Sequence, residues 1–377
     1  MCPESDTRRK VSVIVPCYNE EATLGLCIEK LLEIEDTVIK LEVIIVNDAS
    51  QDKSLEQARI LEKKYKQITV LNHEHNQGKG AALNTGIQRA SGEWVAIQDA
   101  DLEYDPRDLR RLLEPLIRGD ADAAFGSRFL SGGEHRVLYF WHSLGNKFLT
   151  FLSNMFTDLN LTDMETCYKA FRADLIKKIT IKEKRFGVEP EIVAKIAQMR
   201  PRIYEMGITY RGRTYEEGKK ITAKDGLRAI YCIFHYNAPK APVPIQFLIY
   251  ILIGGLSALL NLMLFLILML SQTTLNISIL TAFFIAAFFN YCLCVLFLFR
   301  HKAQWNPAME ILIFLLVVSV VGAFDLYATR ALLAGGLNAV PSKLTATVLG
   351  LILNFTGRKY LVFFEKASGP WIPQIKK

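Results

Sequence analysis

The sequence contains no C-x-x-C pair. Its seven cysteines, at positions 2, 17, 27, 167, 232, 292 and 294, show no metal-ligand spacing. That excludes a zinc ribbon and a dithiol redox centre. Cys292 and Cys294 are two apart in an apolar run, so on a helix they point in different directions. All seven are expected to be free, reduced thiols on the cytoplasmic side or in the membrane. No apolar leader is visible either. The opening MCPESDTRRK runs into a strand pattern, so no cleavable signal peptide is expected. A strong excess of one charge is also missing: 45 Lys and Arg face 38 Asp and Glu, a net +7. So small an excess does not require nucleic acid as a partner, and none is expected. A basic surface beside a membrane explains it equally well. Apolar residues are what the chain has in plenty. They make up 51% of 377 residues against 22% charged, and the mean hydropathy is above zero, at +0.19. A disordered chain, a collagen-like chain and a disulfide miniprotein are thereby excluded. The length suffices for a catalytic domain plus something else.

Composition changes abruptly near residue 240. Before it, short β-rich runs alternate with amphipathic stretches. After it come four mostly apolar blocks, roughly 244–270, 276–299, 308–334 and 340–364. Each is long enough to cross about 30 Å of hydrocarbon. Four in succession argue for membrane spans over buried core helices. Basic residues set the orientation. Arg300, His301 and Lys302 follow the second block, and Arg358, Lys359, Lys366, Lys376 and Lys377 end the fourth. The turns Ser271–Leu275 and Gly335–Lys343 carry no charge but Lys343. The positive-inside rule then places both termini and the N-terminal half in the cytoplasm.

The first half reads as βαβ units. Strands are expected at Val11–Val15, Leu41–Val46, Ile68–Leu71 and Trp94–Ile97. Helices are expected at Glu20–Glu33, Ser54–Lys64 and Gly80–Ala90. This alternation implies a mainly parallel, doubly wound, Rossmann-like α/β sheet. Ligands in such sheets bind at the carboxyl ends of the strands.

Polar clusters sit at those ends. The first strand ends in Pro16-Cys17-Tyr18-Asn19-Glu20 and the second in Asn47-Asp48-Ala49-Ser50. Asn76-Gln77-Gly78-Lys79-Gly80 follows the third, without Walker A spacing. Asp99-Ala100-Asp101-Leu102-Glu103 follows the fourth. Singly, each also fits a turn or a helix cap. In strand order they point to one site. Three acidic residues at alternate positions repel one another, and such a cluster normally needs a cation or solvent. Oxygen ligands of this kind suit Mg²⁺ or Mn²⁺.

Pro-x-Tyr-Asn-Glu, Asn-Asp-x-Ser, Asn-x-Gly-Lys-Gly and Asp-Ala-Asp-Leu-Glu-Tyr-Asp-Pro together resemble family 2 glycosyltransferases of the GT-A fold. The subgroup most similar is the dolichol-phosphate mannosyltransferase-like enzymes. Gly126-Ser127-Arg128 and Arg213-Thr214-Tyr215-Glu216-Glu217-Gly218-Lys219-Lys220 extend the match. The apolar half, with Asn290 and Asn354-Phe355-x-x-Arg358-x-x-x-Val362-Phe363, looks like a GtrA-type membrane domain. The resemblance implies a GT-A catalytic domain over residues 1–240 and an all-α four-helix transmembrane domain over 241–366. A cytoplasmic tail would follow, at 367–377.

It also implies roles. Pro16, Tyr18, Glu20, Val46, Asp48, Lys79, Ala100, Arg213 and Lys219 would bind the nucleotide-sugar donor. Asp99 and Asp101 would face the donor and, with Glu103, hold Mg²⁺ or Mn²⁺. Many relatives have Gln at the position of Glu103. Arg128, Arg136, His142 and Ser143 would hold the acceptor phosphate, with Asp99, Asp101, Arg128 and Arg213 as the catalytic group. The implied partners are a nucleotide sugar, GDP-mannose or UDP-glucose, a polyprenyl phosphate, dolichyl or undecaprenyl, and the bilayer. The implied place is the plasma membrane.

Two amphipathic stretches, near 143–157 and 222–236, are expected to lie in the membrane interface. Ordinary packing on the sheet is their plain alternative. Asp325 and Arg330 are costly within a span and would pair or snorkel, while Asn261, Asn290 and Asn354 would bond between helices. Two rivals remain. A processive polysaccharide synthase would carry Gln-x-x-Arg-Trp after the sheet, which is absent. A flippase for lipid-linked sugar with a degenerate transferase domain would not need the intact acidic triplet.

Overall fold

The computed structural model describes residues 7–130, 137, 139–212, 223–299 and 307–363. It forms two compact units that divide between Asn237 and Ala238.

The first unit follows the chain as β1 (Arg9–Cys17), α1 (Leu24–Leu32), β2 (Ile39–Asn47), α2 (Ser54–Lys64), β3 (Ile68–Asn72), α3 (Lys79–Arg89) and β4 (Trp94–Ile97). Then come α4 (Pro106–Ile117), β5 (Ala123–Ser127), α5 (Phe140–Thr157), β6 (Lys169–Arg172) and α6 (Ala173–Ile176). The unit closes with α7 (Val188–Met199), β7 (Ile203–Gly207) and α8 (Ala223–Asn237). The seven strands lie in the order β3-β2-β1-β4-β6-β5-β7. β1 runs parallel to β2 and β4, β2 to β3, and β5 to β7, while β6 is antiparallel to both neighbours. The expected mainly parallel sheet is therefore present, with one reversed strand. Central strands covered by helices on both faces must be apolar throughout. In β1, Val11, Val13, Ile14 and Val15 are all fully buried.

Two local features set the loops that matter. α1 starts at Leu24, four residues after the expected Glu20. The intervening backbone is spent elsewhere: Asn19 sits at φ 54°, the Glu20 amide donates to Ser54 Oγ, and the Glu21 amide donates to Asp52. α4 starts where it should, because Asp105 accepts from the Arg107 amide and Pro106 needs no amide partner.

The second unit holds α9 (Val243–Leu270), α10 (Leu275–Leu293), α11 (Pro307–Ala334) and α12 (Ala339–Gly357). α10 and α12 run on into π-helical turns, Cys294–Phe299 and Arg358–Val362. Among the described residues, three helices are long and apolar enough to cross a membrane: Val243–Leu270, Thr281–Leu298 and Leu312–Ala334. Four were expected. α12 is the shortfall, with 19 residues that include Ser342, Thr345, Thr347 and Asn354. Helix pairs are tied by polar groups, as Asn290 Nδ2 donates to Ser257 Oγ at 3.1 Å. Asp325 accepts from Thr347 Oγ1 at 3.5 Å. The basic residues 300–302, 366, 376 and 377 lie outside the described residues.

Candidate active site

The four polar clusters converge because β3, β2, β1 and β4 are neighbours and all point the same way. Their carboxyl-end loops are stitched together. The Asn19 amide donates to Ser50 Oγ at 3.0 Å, and the Gln51 amide returns a bond to Asn19 Oδ1 at 2.8 Å. Pro16, Tyr18 and Glu20 are half-buried along this seam.

Asp48 joins the second loop to the third. It is 3% exposed, with Oδ1 2.7 Å from His73 Nδ1 and 2.9 Å from the Gln77 amide. Its Oδ2 is 2.7 Å from the Gly78 amide. His73 Nε2 in turn meets Thr85 Oγ1 at 3.0 Å. Val46, expected to bind donor, is sealed in the sheet core, and Ala100 is nearly so. Both side chains fill space under the loops.

The third loop explains its own spelling. Gly78 has φ +94°, and a Cβ there would lie 2.2 Å from the Lys184 carbonyl oxygen. At Gly80 a Cβ would lie 1.9 Å from that of Glu183. Only glycine lets the backbone pass so close. Lys79, between them, is held with its ammonium over the end of β4. Its Nζ lies 2.9 Å from Asp99 Oδ1, 3.2 Å from Glu189 Oε1 and 2.7 Å from Cys167 Sγ. Burial alone would lower the lysine pKa. The charges on Asp99 and Glu189 outweigh that and hold it well above its ordinary value.

The acidic triplet therefore does not converge as expected. Asp99 turns to Lys79. Asp101 Oδ1 accepts from the Glu103 amide at 3.2 Å, and Glu103 Oε2 accepts from Tyr210 OH at 2.9 Å. Among the described residues no group of three His, Cys, Asp or Glu side chains is placed to hold a metal ion. The fit test then rests on Asp101 and Glu103, both half-buried on one turn. Mg²⁺ is commonly held by one or two carboxylates, with substrate phosphates and water completing its shell. The two carboxylates satisfy that requirement.

Arg128 also departs from expectation. Its Nε and Nη2 grip Asp163 at 2.7 and 2.8 Å, and its amide donates to the same carboxylate at 3.0 Å. Arg128 is 7% and Asp163 0% exposed. Burial opposes the charge, but Asp163 holds the guanidinium pKa well above its ordinary value. That bidentate pair takes the Nε–Nη2 edge of Arg128 and balances its charge. Arg128 fastens the loop after β5 instead. His142 and Ser143 lie in the first turn of α5, both half-buried. Arg136, Arg213 and Lys219 lie outside the described residues.

The acidic runs 163–166 and 189–191, which the sequence places near the acceptor side without a role, join the site, together with aromatic residues that were not expected. Glu189, at the start of α7, is 6% exposed, and its Oε2 has no partner among the described residues. Burial, reinforced by Glu189, pushes the Glu165 carboxyl up to about 8. Tyr104 stacks on Tyr168 at 4.7 Å, with Tyr210 at 5.3 Å, and floors the acidic turn.

α5 and α8 pack side by side through Phe156 and Phe234, whose rings are 4.8 Å apart. Outward they present Phe140, Trp141, Leu144, Phe148, Phe151, Leu227 and Tyr231, all exposed. A monomeric soluble protein rarely shows so large an apolar patch.

Comparison with known proteins now bears on this geometry. Residues 12–180 match the model of glycosyl transferase family 2, and residues 249–363 match that of the GtrA/DPMS transmembrane domain. An undecaprenyl-phosphate mannosyltransferase of Micrococcus luteus is 30% identical over 221 residues, covering 56% of this chain and 87% of that protein. The chain belongs to glycosyltransferase family 2. A dolichol-phosphate mannosyltransferase of Pyrococcus furiosus is 28% identical over 235 residues, 60% of this glycosyltransferase and 64% of that one. Among solved structures, glucosyl-3-phosphoglycerate synthase of Mycobacterium tuberculosis, in complex with Mn²⁺, UDP and phosphoglyceric acid, aligns with a TM-score of 0.49. It is 20% identical and covers 62% of this chain and 80% of that one. The resemblance read from the motifs is thus established for both halves of this family 2 member.

Proposed function

We propose that this chain is a membrane-bound inverting transferase. It moves one monosaccharide, mannose or glucose, from GDP-mannose or UDP-glucose to a dolichyl or undecaprenyl phosphate on the cytoplasmic face of the plasma membrane. One observation carries the proposal. The paired Lys79–Asp99 site and the exposed aromatic face of α5 and α8 occur in a chain that also carries membrane-length helices. A lipid phosphate sits at headgroup level, so an enzyme that uses it must hold its site there, and such a face would do so. The names of the Micrococcus and Pyrococcus relatives favour the same acceptor class and mannose.

The chemistry follows from the acceptor. A phosphate monoester has its second pKa near about 6, so it is largely ionised at neutral pH. Its oxygen forms the new bond to the anomeric carbon as the bond to the nucleoside diphosphate breaks on the opposite face. An α-linked donor then gives a β-linked product. No strong base is needed, since positioning and charge balance dominate. Asp48 and the Asn19–Ser50 seam hold the nucleotide-side loops, with Pro16, Tyr18 and Glu20 lining them. Asp99, oriented by Lys79, faces the sugar. Asp101 and Glu103 would hold Mg²⁺ or Mn²⁺, which supplies positive charge for the diphosphate when bound. Arg136, His142, Ser143, Arg213 and Lys219 are proposed for the phosphates.

The test uses membranes that contain the full chain, given a panel of labelled nucleotide sugars. Label from one donor should enter the organic phase only when polyprenyl phosphate is present. Label that stays aqueous with every donor, or appears in a polymer, overturns the proposal.

A further inference from the structure

Arg358 begins the π-helical turn after α12, and it is 5% exposed. Its Nε donates to Asn354 Oδ1 at 3.2 Å, its Nη1 to Asn290 Oδ1, and Cys294 Sγ lies 3.7 Å from Nη1. The guanidinium lies over two rings, 4.5 Å from the centre of Phe314 and 5.5 Å from that of Tyr250. Asn290 is itself held, since its Nδ2 donates to Ser257. Four helices thus build one socket around one cation.

The groups that touch the guanidinium are neutral; Glu310, one turn before Phe314, accepts from Tyr291 OH at 2.8 Å. Amides and rings orient a guanidinium without cancelling its charge. Among the described residues no carboxylate pairs with Arg358, and Nη2 has no acceptor. A buried cation normally carries a counter-charge, because an uncompensated one is expensive in an apolar bundle. Depth indicates where that counter-charge comes from. Tyr250 and Phe314 each sit seven residues inside the start of their helix, α9 and α11. At 1.5 Å per residue that is about 10 Å from one end of the bundle. That is the zone where headgroups give way to chains, not the middle of the hydrocarbon.

We infer that the Arg358 socket, framed by Asn290, Asn354, Phe314 and Tyr250, binds the phosphate group of a membrane lipid. A guanidinium whose Nη2 hydrogens have no acceptor among the described residues can donate them to a phosphate oxygen, a charge-assisted bond. The inference rests on the membrane reading of the bundle but not on the transfer chemistry. The phosphate has two sources: a polyprenyl monophosphate or a bulk anionic phospholipid.

Full-length protein, delipidated in a neutral detergent, is titrated with undecaprenyl phosphate, undecaprenol and phosphatidylglycerol, and bound lipid is counted by native mass spectrometry. Wild type should bind at least one phosphate-bearing lipid roughly tenfold more tightly than undecaprenol. Arg358→Gln should abolish that preference, and Arg358→Lys should reduce it several-fold while the melting temperature stays near wild type. Nucleotide-diphosphate binding to the first unit should be unchanged in both variants. Preference for undecaprenyl phosphate alone assigns the socket to polyprenyl phosphate. Equal preference for phosphatidylglycerol assigns it to phospholipid. If wild type binds undecaprenol as well as either phosphate lipid, the inference fails. It fails equally if Arg358→Lys, folded, keeps the full preference. Because these readouts involve no sugar transfer, failure of the enzymatic proposal would leave them interpretable.

Discussion

The two units differ in how the arginine of each site is met. In the catalytic unit Lys79 meets Asp99 and Glu189, and Arg128 meets Asp163, while the buried Lys169 donates to the Met164 and Thr166 carbonyls. In the helical unit Arg358 meets, among the described residues, amides, rings and the Cys294 thiol. The difference teaches what each can do with a ligand. A cation already neutralised shapes a loop and aims its partner. A cation left unneutralised attracts an anion. Type of residue alone does not separate these roles, since Arg128 and Arg358 are the same side chain.

The largest break in this comparison is expected from the acidic turn. Asp101→Ala should lower transfer at least ~1,000-fold, about 4 kcal/mol of barrier, with thermal stability unchanged. Full transfer by that variant in excess chelator would refute the metal assignment. Lys79→Met should come next. It leaves Asp99 and Glu189 as buried carboxylates without their cation, at a cost of about 3–5 kcal/mol in stability. Chemical denaturation would read this, and an unchanged midpoint would show that the pair contributes nothing.

A pH series sharpens the picture of paired charge. Burial would raise the Glu42 pKa, but bonds from Lys10, Ser12 and Ser91 pull it down to about 2 from an ordinary 4.5. The unfolded chain therefore binds the proton more readily. The stabilisation is complete above pH 4.5 and is lost as pH falls through 2. Wild type should lose roughly 3 kcal/mol across that window, and Glu42→Gln should show a flatter acid limb. A wild-type curve flat to pH 2 would contradict the pairing.

Arg128→Lys tests the neutralised cation directly. It keeps the charge but breaks the fork to Asp163, so stability should fall by about 1–2 kcal/mol. Donor and acceptor use should fall together. A selective loss of polyprenyl-phosphate use would restore Arg128 as a phosphate ligand. The smallest effect is expected in the bundle. Asn290→Ala removes bonds to Ser257 and Arg358, each worth only about 0.6 kcal/mol in a membrane. Unfolding in mild detergent should show a small shift, and a large one would make the socket a structural keystone.

Much of this was legible in order along the chain. Strands β1 to β4 follow from short apolar runs, and the helical blocks from length. Loops at parallel strand ends must cluster, so the four motifs were expected to meet, and they do. Less legible were β6 and β7, four and five residues long with Lys169, Arg172 and Glu205 among them. Their pairing depends on neighbours far away in sequence. The role of Glu189 was hidden for the same reason, being 110 positions from Lys79 (189 − 79).

By itself the sequence determined the two-part build, the mainly parallel sheet and the position of the motif loops. Those features follow from periodicity and run length, which are local properties of the chain. Only the tertiary structure decided which charges are spent. Arg128 faces Asp163, Asp99 faces Lys79, and Arg358 faces no carboxylate among the described residues. Neutralisation depends on distances of about 3 Å between residues tens of positions apart, and no local pattern encodes them.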